Sequence, residues 1–538
     1  MKWWNEAVVY QVYPRSFMDS NNDGIGDLKG IISKLDYIKY LGANVIWLSP
    51  VYESPNDDNG YDISDYYNIM KEFGTMEDMD NLILEAEKKG IKIVMDLVAN
   101  HTSVKHEWFV KGSNDKNSKY HDYYYFKENT GVVPNELQSI FLGSAWEITD
   151  NKEDYYLHMF AKSQADLNWH NKNVRNDLYK MVNWWLDKGI GGFRLDVIDM
   201  IAKDINNNII ADGPLLHDYI KELADNTFNK YDVLTVGETW GADSKKAIKY
   251  SNKDGSEMSM IFNFSHILLD QDGEDKWDYK KLDLLDLKNN FEERQLNLHN
   301  KGWDALFWND HDLPRVISRW GNDNKYRAES AKMFGTLLHF MQGTPYIYQG
   351  EELGMTNVSF DDINDYKDIE TINMYDDRIS KGYKIKEIMN SIQHIGRDNA
   401  RTPMQWNNKL NAGFSENKPW IKVNPNYKEI NVENQINDQD SILNYYKKLI
   451  YFRRFSKYKD LIRDGGFELI DKNNSQIFSY KRIDKDKMLL VICNFTNSIL
   501  NYSYDKKKVI LSNYKDQNGI YLRPYEALVI DNLSGILK

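Results

Sequence analysis

Cysteine is almost missing. Cys493 is the single one in 538 residues, which excludes an intramolecular disulfide and suits a reducing compartment. A basic excess is missing too: the formal net charge is −13 and the pI about 5.4, a balance that argues against nucleic-acid binding and suits a neutral ligand. No apolar run approaches the roughly 18 residues that span a bilayer. The opening stretch MKWWNEAVVYQVYPRSF has no apolar core of a secretory leader. These absences lead us to expect a cytoplasmic protein with neither a membrane nor a nucleic-acid partner. There is no internal repeat or low-complexity tract. The length exceeds what one compact core fills, so two or three domains are expected. Nothing in the sequence sets an oligomeric state, and a monomer is the simplest expectation.

Aromatic residues are abundant, at 13% with 15 Trp and 36 Tyr, and amphipathic rings in excess often line sugar-binding clefts, although core packing is the commoner fate of any one ring. Along the chain, apolar runs of strand length alternate with segments of helical period. The strand candidates are AVVYQVY (7–13), NVIWLSP (44–50), IKIVMDL (91–97), GGFRLDVI (191–198), DVLTVGE (232–238), EMSMIFNF (257–264), DALFW (304–308) and PYIYQG (345–350). Between the first two, Leu28, Ile31, Ile32, Leu35 and Ile38 make one helical stripe ending at Gly42; between the second and third, Thr75 with Asp78 resembles a capping box. Eight strands alternating with helices describe an α/β fold, a (β/α)₈ barrel. The rhythm breaks after the third strand, predicting a small inserted domain at 102–171, with the barrel built from 1–101 and 172–461. From 462 to 538 short β-rich runs take over, which predicts a C-terminal antiparallel β-sandwich.

In such barrels the chemistry sits at the C-terminal ends of the strands. Strand three carries Asp96 and leads to His101, strand four carries Arg194 and Asp196, strand five ends in Glu238, and strand seven leads to His311 and Asp312. Strand alternation puts Arg194 and Asp196 on one face and Phe193, Leu195 and Val197 on the other. A guanidinium beside Asp196 would keep it ionised as a nucleophile, and the apolar run before Glu238 would keep that carboxyl protonated as a general acid. An Arg and an Asp two apart on a strand are commonly a structural ion pair, and a carboxylate at a strand end is commonly just bonded in its loop. Several at successive strand ends point instead to glycoside hydrolysis, which needs one ionised and one protonated carboxyl. A metal-dependent hydrolase is disfavoured, because His101 and His311 lie on separate loops without close ligand spacing.

The stretch MDSNNDGIGDLKG (18–30) alternates oxygen side chains at Asp19, Asn21, Asp23 and Asp27 around Gly24, as a short calcium loop does. A calcium sensor would close with glutamate at the twelfth position, which here is Gly30. A polar turn without any ion is the plainer reading.

DLVANH, GGFRLDVI, VGETW and FWNDHD resemble, in order and spacing, the four signature regions of the α-amylase family of glycoside hydrolases, and QADLNW (164–169) resembles a fifth. DDNGYDI, GTPYIYQGEELGMTN, GRDNARTPMQW and VNPNYKEINV are similar to its oligo-1,6-glucosidase and dextran glucosidase branch. The resemblance runs from end to end and implies a retaining, exo-acting hydrolase of α-1,6-glucosidic links in small isomalto-oligosaccharides. It implies Asp196 as nucleophile, Glu238 as acid/base and Asp312 as the third carboxylate. By the same resemblance Tyr61 stacks beneath the first glucose, Arg194, His101 and His311 contact the nucleophile or sugar hydroxyls, Asp96 supports Arg194, and Asp58 with Arg397 closes the pocket. It also implies a structural calcium on Asp19, Asn21, Asp23, the carbonyl of Ile25, and Asp27. Val197 after the nucleophile goes with α-1,6 preference in that branch. The sequence departs from the branch at Asp310, where asparagine is usual, which puts the titration of Asp312 in question. A trehalose-6-phosphate hydrolase shares most of these motifs and would need extra cations around a phosphate. A sucrose isomerase would need an arginine-rich loop that LPRVISRWGNDNKYR does not clearly supply. A barrel that has lost its chemistry is disfavoured by the three intact carboxyls.

Overall fold

The computed structural model describes residues 2–531. Eight parallel strands close into a ring: β1 (Val9–Val12), β2 (Val45–Leu48), β3 (Lys92–Leu97), β4 (Gly192–Leu195), β5 (Leu234–Thr239), β6 (Met260–Asn263), β7 (Asp304–Leu306) and β8 (Thr344–Tyr348). Each pairs with its neighbours in sequence, and β1 closes on β8. All eight expected strands are present, and the (β/α)₈ barrel stands.

The strands are near-continuous apolar runs because both faces are buried. One face, with Tyr10, Ile46, Ile93, Phe193, Leu195, Ile261 and Ile347, belongs to the large cluster under the helices. The other, with Val9, Val45, Val94, Val236, Met260 and Tyr346, fills the barrel. Two residues further along β1, β2, β3 and β5 the same inward face carries Gln11, Trp47, Asp96 and Glu238. Arg194 pairs in register with Asp96 on β3 and Val236 on β5. The period of two thus stacks a polar layer on an apolar floor.

The expected helix over 28–42 is two, Leu28–Ser33 and Leu35–Leu41, broken at Lys34 (φ −109°, ψ 5°). The capping box at Thr75 and Asp78 does start the helix Met76–Lys88. Between β3 and β4, the segment after His101 forms a helix (Glu107–Asn114) and a three-stranded antiparallel sheet in the order Phe126–Glu128, Asp154–Leu157, Trp146–Ile148. It returns through Gln164–Asp166, which pairs with His101–Ser103.

At the C-terminal end, β9 (Gly466–Ile470), β10 (Ile477–Asp484), β11 (Lys487–Asn494), β12 (Val509–Ser512) and β13 (Ala527–Asp531) form one antiparallel sheet. A two-stranded ribbon, Leu500–Asn501 with Tyr521–Leu522, lies over one face through Ile477, Ile492, Leu522, Leu528 and Ile530. The other face packs on the barrel, where the Tyr480 hydroxyl donates to Leu337 O at 2.7 Å. Among the described residues no helix is long and apolar enough to cross a membrane.

Candidate active site

Asp96, Arg194, Asp196 and Glu238 meet at the C-terminal rim of β3, β4 and β5. Their approach depends on Gly192 at the start of β4, whose φ is +140° and where an added Cβ would lie 1.7 Å from Leu234 O, so only glycine lets β4 lie this close to β5. The Arg194 guanidinium is buried and divided among three carboxylates: Asp96 Oδ1 at 2.8 Å, Asp196 Oδ1 at 2.5 Å and Glu238 Oε2 at 2.6 Å. Trp47 Nε1 and the Tyr61 hydroxyl each donate to Asp96 Oδ2 at 3.0 Å.

This sharing changes the expected electrostatics of Asp196. Burial pushes its carboxyl well above the ordinary range, and Glu238 and Asp96 add to that against the pull of Arg194. One guanidinium shared among three buried carboxylates does not offset the burial of Asp196. The expectation that Arg194 would lower Asp196 is corrected on this point. Burial likewise lifts Asp96 to about 6 in spite of Arg194.

The far end of the pocket is closed by charge. Arg397 contacts Asp368 at 2.5 Å, Asp312 at 3.1 Å, and Asp58 and Glu370 at 3.3 Å. Arg401 adds a contact to Asp312 at 2.7 Å. Burial would raise Asp312, but His311, Arg397 and Arg401 outweigh it and hold the carboxyl well below the ordinary range. Burial wins at Asp58, which rises to about 7 although Arg397 and Arg401 pull it down. It also drives His101 down to about 4 and His311 to about 3, so both rings are neutral at pH 7, where Arg397 and Arg401, and not His311, supply the positive charge in contact with Asp312. Gln11 Nε2 donates to His311 Nδ1 at 2.9 Å, which leaves the ring proton on Nε2, facing Tyr61 Oη at 2.6 Å and Asp312 Oδ2 at 3.1 Å. Tyr61 stacks on His311 with rings 5.3 Å apart. His101 Nε2 lies 3.2 Å from Gln164 Nε2, and the same Gln164 nitrogen donates to Asp58 at 3.0 Å.

Asp310 accepts the Asp312 amide at 2.7 Å, and burial together with the Asp312 charge raises it well above the ordinary range. A protonated Asp310 is a neutral hydrogen-bonding group, as the asparagine of the resembling branch would be. Asp310, His311 and Asp312 offer ligand atoms all within 4.8 Å of one another. The Asp312 charge among them is already balanced by two arginines.

The cavity above holds about 400 Å³ and is lined by Asp58, Tyr61, His101, Asp196, Glu238, Asp312 and Arg397 at its charged end. Its mouth is lined by Ile140, Val197, Met200, Ile210, Trp240 and Leu268, while Phe141 packs on Arg397 at 5.0 Å. Val197 was expected to point away from Asp196. The strand ends at Leu195, Val197 turns into the left-handed region (φ 34°, ψ 47°), and its side chain lines the cavity. Its N–H donates to Glu238 Oε2 at 3.0 Å. A β-branched residue there is strained, which marks a turn held by its surroundings.

Every residue expected in catalysis or sugar binding lies at this rim. Arg401, Asp368, Glu370, Gln164 and Trp240 carried no such expectation. Arg401 stands one helical turn after Arg397 in GRDNAR, and Gln164 opens QADLNW, so both stood within signature motifs. Nothing local marked Asp368 or Glu370.

The loop 18–30 lies away from this cavity. Asp19 accepts the amides of Asn21, Asn22 and Gly24, Asp23 that of Ile25, and Asp27 those of Ser20 and Gly30. Among the described residues Asp19, Asp23 and Asp27 form no ion pair with a lysine or arginine. The loop thus carries three carboxylates without a cationic partner, a donor chemistry that suits a hard cation, although their oxygens are taken up by backbone amides and do not form a grouping within 4.8 Å of one another as Asp310, His311 and Asp312 do.

The "Alpha amylase, catalytic domain" family model matches residues 11–465. The chain is 50% identical to an oligo-1,6-glucosidase of Bacillus cereus, covering 98% of this chain and 99% of the relative. It is 51% identical to a glucan 1,6-alpha-glucosidase of Streptococcus pneumoniae, covering 99% of each. Among solved structures it resembles a trehalose-6-phosphate hydrolase of Bacillus licheniformis (TM-score 0.93, 45% identity, 99% of this chain and 100% of that one). It also resembles an isomaltulose synthase of Klebsiella sp. LX3 (TM-score 0.95, 39% identity, 99% of each).

Proposed function

The chain belongs to the α-amylase family, and from that premise we propose that it is a retaining, exo-acting α-glucosidase that cleaves α-1,6-glucosidic links of isomalto-oligosaccharides and releases glucose from the non-reducing end. The observation that carries this reading is the pairing of Asp196 and Glu238 on one guanidinium in a pocket whose far end is closed by Asp58, Asp312 and Arg397. Two carboxyls bonded to one guanidinium suit the roughly 5 Å spacing of retaining enzymes better than the wider spacing of inverting ones.

In this reading Asp196 attacks the anomeric carbon while Glu238 gives its proton to the departing oxygen. The Arg194 contact steadies Asp196 as its charge is consumed. Glu238 then takes a proton from water, which hydrolyses the glucosyl ester and restores Asp196. Asp312, held ionised by two arginines, accepts hydrogen bonds from sugar hydroxyls, and the closed end admits one glucose unit.

Trehalose-6-phosphate is the weaker substrate. The cations lining the cavity are Lys276 and Arg397, and both are committed, Lys276 to Glu370 at 2.5 Å and Arg397 to four carboxylates. The arginines after the His-Asp pair are committed as well, Arg315 to carbonyls of Gln349 and Ala400, Arg319 to Asp270, and Arg327 to carbonyls of Leu353 and Gly354. That disfavours a sucrose isomerase. A panel of isomaltose, panose, maltose, sucrose and trehalose-6-phosphate tests the reading. Isomaltose and panose should have the highest kcat/KM, and a preference for trehalose-6-phosphate or isomerisation of sucrose would overturn it.

A structural calcium on Asp19, Asn21, Asp23, the Ile25 carbonyl and Asp27 belongs to the same proposal. The loop clamps the segment around residue 418, with the Trp420 amide on Gly24 O at 3.0 Å and the Asp19 amide on Phe414 O at 3.1 Å. An ion present at 100 times its Kd stabilises by about 2.7 kcal/mol, so chelation should lower Tm and leave low-temperature activity intact. An unchanged Tm with no bound metal by elemental analysis contradicts it. A cytoplasmic location, suggested by the single buried thiol, and a monomeric state complete the proposal.

A further inference from the structure

Asp199 lies outside every role assigned above, yet its carboxyl is buried and lines the cavity on the mouth side. It follows the left-handed turn at Val197, so one short segment, 197–200, both donates the Val197 N–H to Glu238 Oε2 and carries Asp199. Asp199 Oδ2 accepts the Trp240 amide at 3.1 Å, and the Trp240 indole Nε1 donates to Glu238 Oε1 at 3.1 Å. The indole is braced from behind by Phe264, stacked at 4.0 Å.

We propose that Asp199 is the positioning residue of the acid/base: through the Trp240 amide it fixes the indole that holds Glu238, and its carboxylate charge opposes loss of the Glu238 proton to solvent before it is needed. The proposal rests on the reading of Glu238 as acid/base. The groups acting on Asp199 are Glu238 and Asp212, with the amides of Trp240 and Gly241; Lys203, Lys246 and Tyr250 also feel its charge. Two of these cations are committed elsewhere, Lys203 to Asp166 at 2.8 Å and Lys246 to Asp212 at 2.7 Å. Burial, then Glu238 and Asp212, lifts Asp199 to about 7. A like charge placed across the Trp240 bridge is what the uncharged Asp199 variants remove.

The test is the pH profile of kcat/KM on isomaltose for wild type, Asp199→Asn and Glu238→Gln, with p-nitrophenyl α-glucoside as a second substrate. Asp199→Asn keeps an oxygen for the Trp240 amide and removes the charge, and the basic limb should move to lower pH by about one unit while the acid side changes only a few-fold. Asp199→Ser, smaller and also uncharged, should move it the same way and serves if the asparagine variant does not fold. Asp199→Glu should restore the wild-type limb. A basic limb unmoved in both uncharged variants overturns the proposal. Glu238→Gln separates the two levels: if it keeps the wild-type basic limb, the acid/base reading itself fails, whereas a flattened limb there with no shift in the Asp199 variants removes only the role of Asp199.

Discussion

The two ends of the pocket are built on opposite principles. At the closed end almost every lining group is charged or polar, buried, and tied to at least two partners. At the mouth, Ile140, Val197, Met200, Ile210, Trp240 and Leu268 present apolar surface, and Ile140, Leu268 and Trp240 are 45%, 40% and 38% exposed. A site that hydrogen-bonds each hydroxyl of one sugar rejects analogues strongly, because a wrong ligand leaves buried polar groups unpaired, while an apolar wall discriminates by shape and only weakly. Identity of the transferred glucose is therefore set at the closed end, and linkage and leaving group at the mouth.

The comparison breaks most visibly at the junction of the two ends. Asp196→Asn should abolish turnover. Glu238→Gln should lose roughly 10²- to 10⁴-fold on isomaltose and much less on p-nitrophenyl α-glucoside, whose leaving group needs little acid help. Normal turnover by Asp196→Asn, or equal losses on both substrates in Glu238→Gln, would remove these roles.

At the closed end, Arg397→Ala strips four carboxylates of their shared partner. Breaking a buried pair costs on the order of 3–5 kcal/mol. Both Tm and kcat/KM for isomaltose should fall, the latter by about 100-fold or more. An alanine variant with wild-type KM would show that this end does not grip the sugar.

At the mouth the effect should be smaller. Val197→Ala removes two methyl groups from the cavity wall, a change worth about 1–3 kcal/mol in discrimination. The maltose-to-isomaltose ratio of kcat/KM should rise by roughly 10- to 200-fold with neither activity abolished. Alanine also tolerates the left-handed turn better than valine, so Tm should hold. An unmoved ratio would assign Val197 to packing alone.

The smallest effect lies outside both ends. Glu351, buried between Asn309 and Tyr446, is lifted by burial to about 7, against about 4.3 in an unfolded chain. Its folded form binds the extra proton, so this stabilisation is complete below the unfolded value and is lost as pH rises towards 7. The buried histidines act in the opposite direction, since their folded values lie below the unfolded one. The Glu351→Gln variant isolates the carboxyl: relative to wild type its Tm should improve between pH 5 and 7.5. A constant difference would show that Glu351 does not titrate in this window.

The barrel was legible because strands buried on both faces must be apolar throughout, and because carboxylates recurred where those runs end. Val197 was misread for a physical reason: alternation holds only while the ladder continues, and here it stops at Leu195. The titration of Asp196 was misread because a sequence pairs Arg194 with its nearest carboxylate, whereas the fold brings Asp96 and Glu238 to the same guanidinium. Asp368 and Glu370 reach the site from a helix after β8, and no local pattern marks a residue whose partner, Arg397, is supplied by a different loop. The helix break at Lys34 was equally invisible, since its apolar stripe continues on both sides.

The central claim is that Asp196 and Glu238 act by double displacement on a single glucose unit held in a closed pocket. Proton NMR of isomaltotriose digestion, recorded before mutarotation, tests it most directly. The account expects α-glucose to appear first, one unit per cleavage, with isomaltose as the co-product. β-Glucose appearing first, or release of isomaltose units without free glucose, would contradict it.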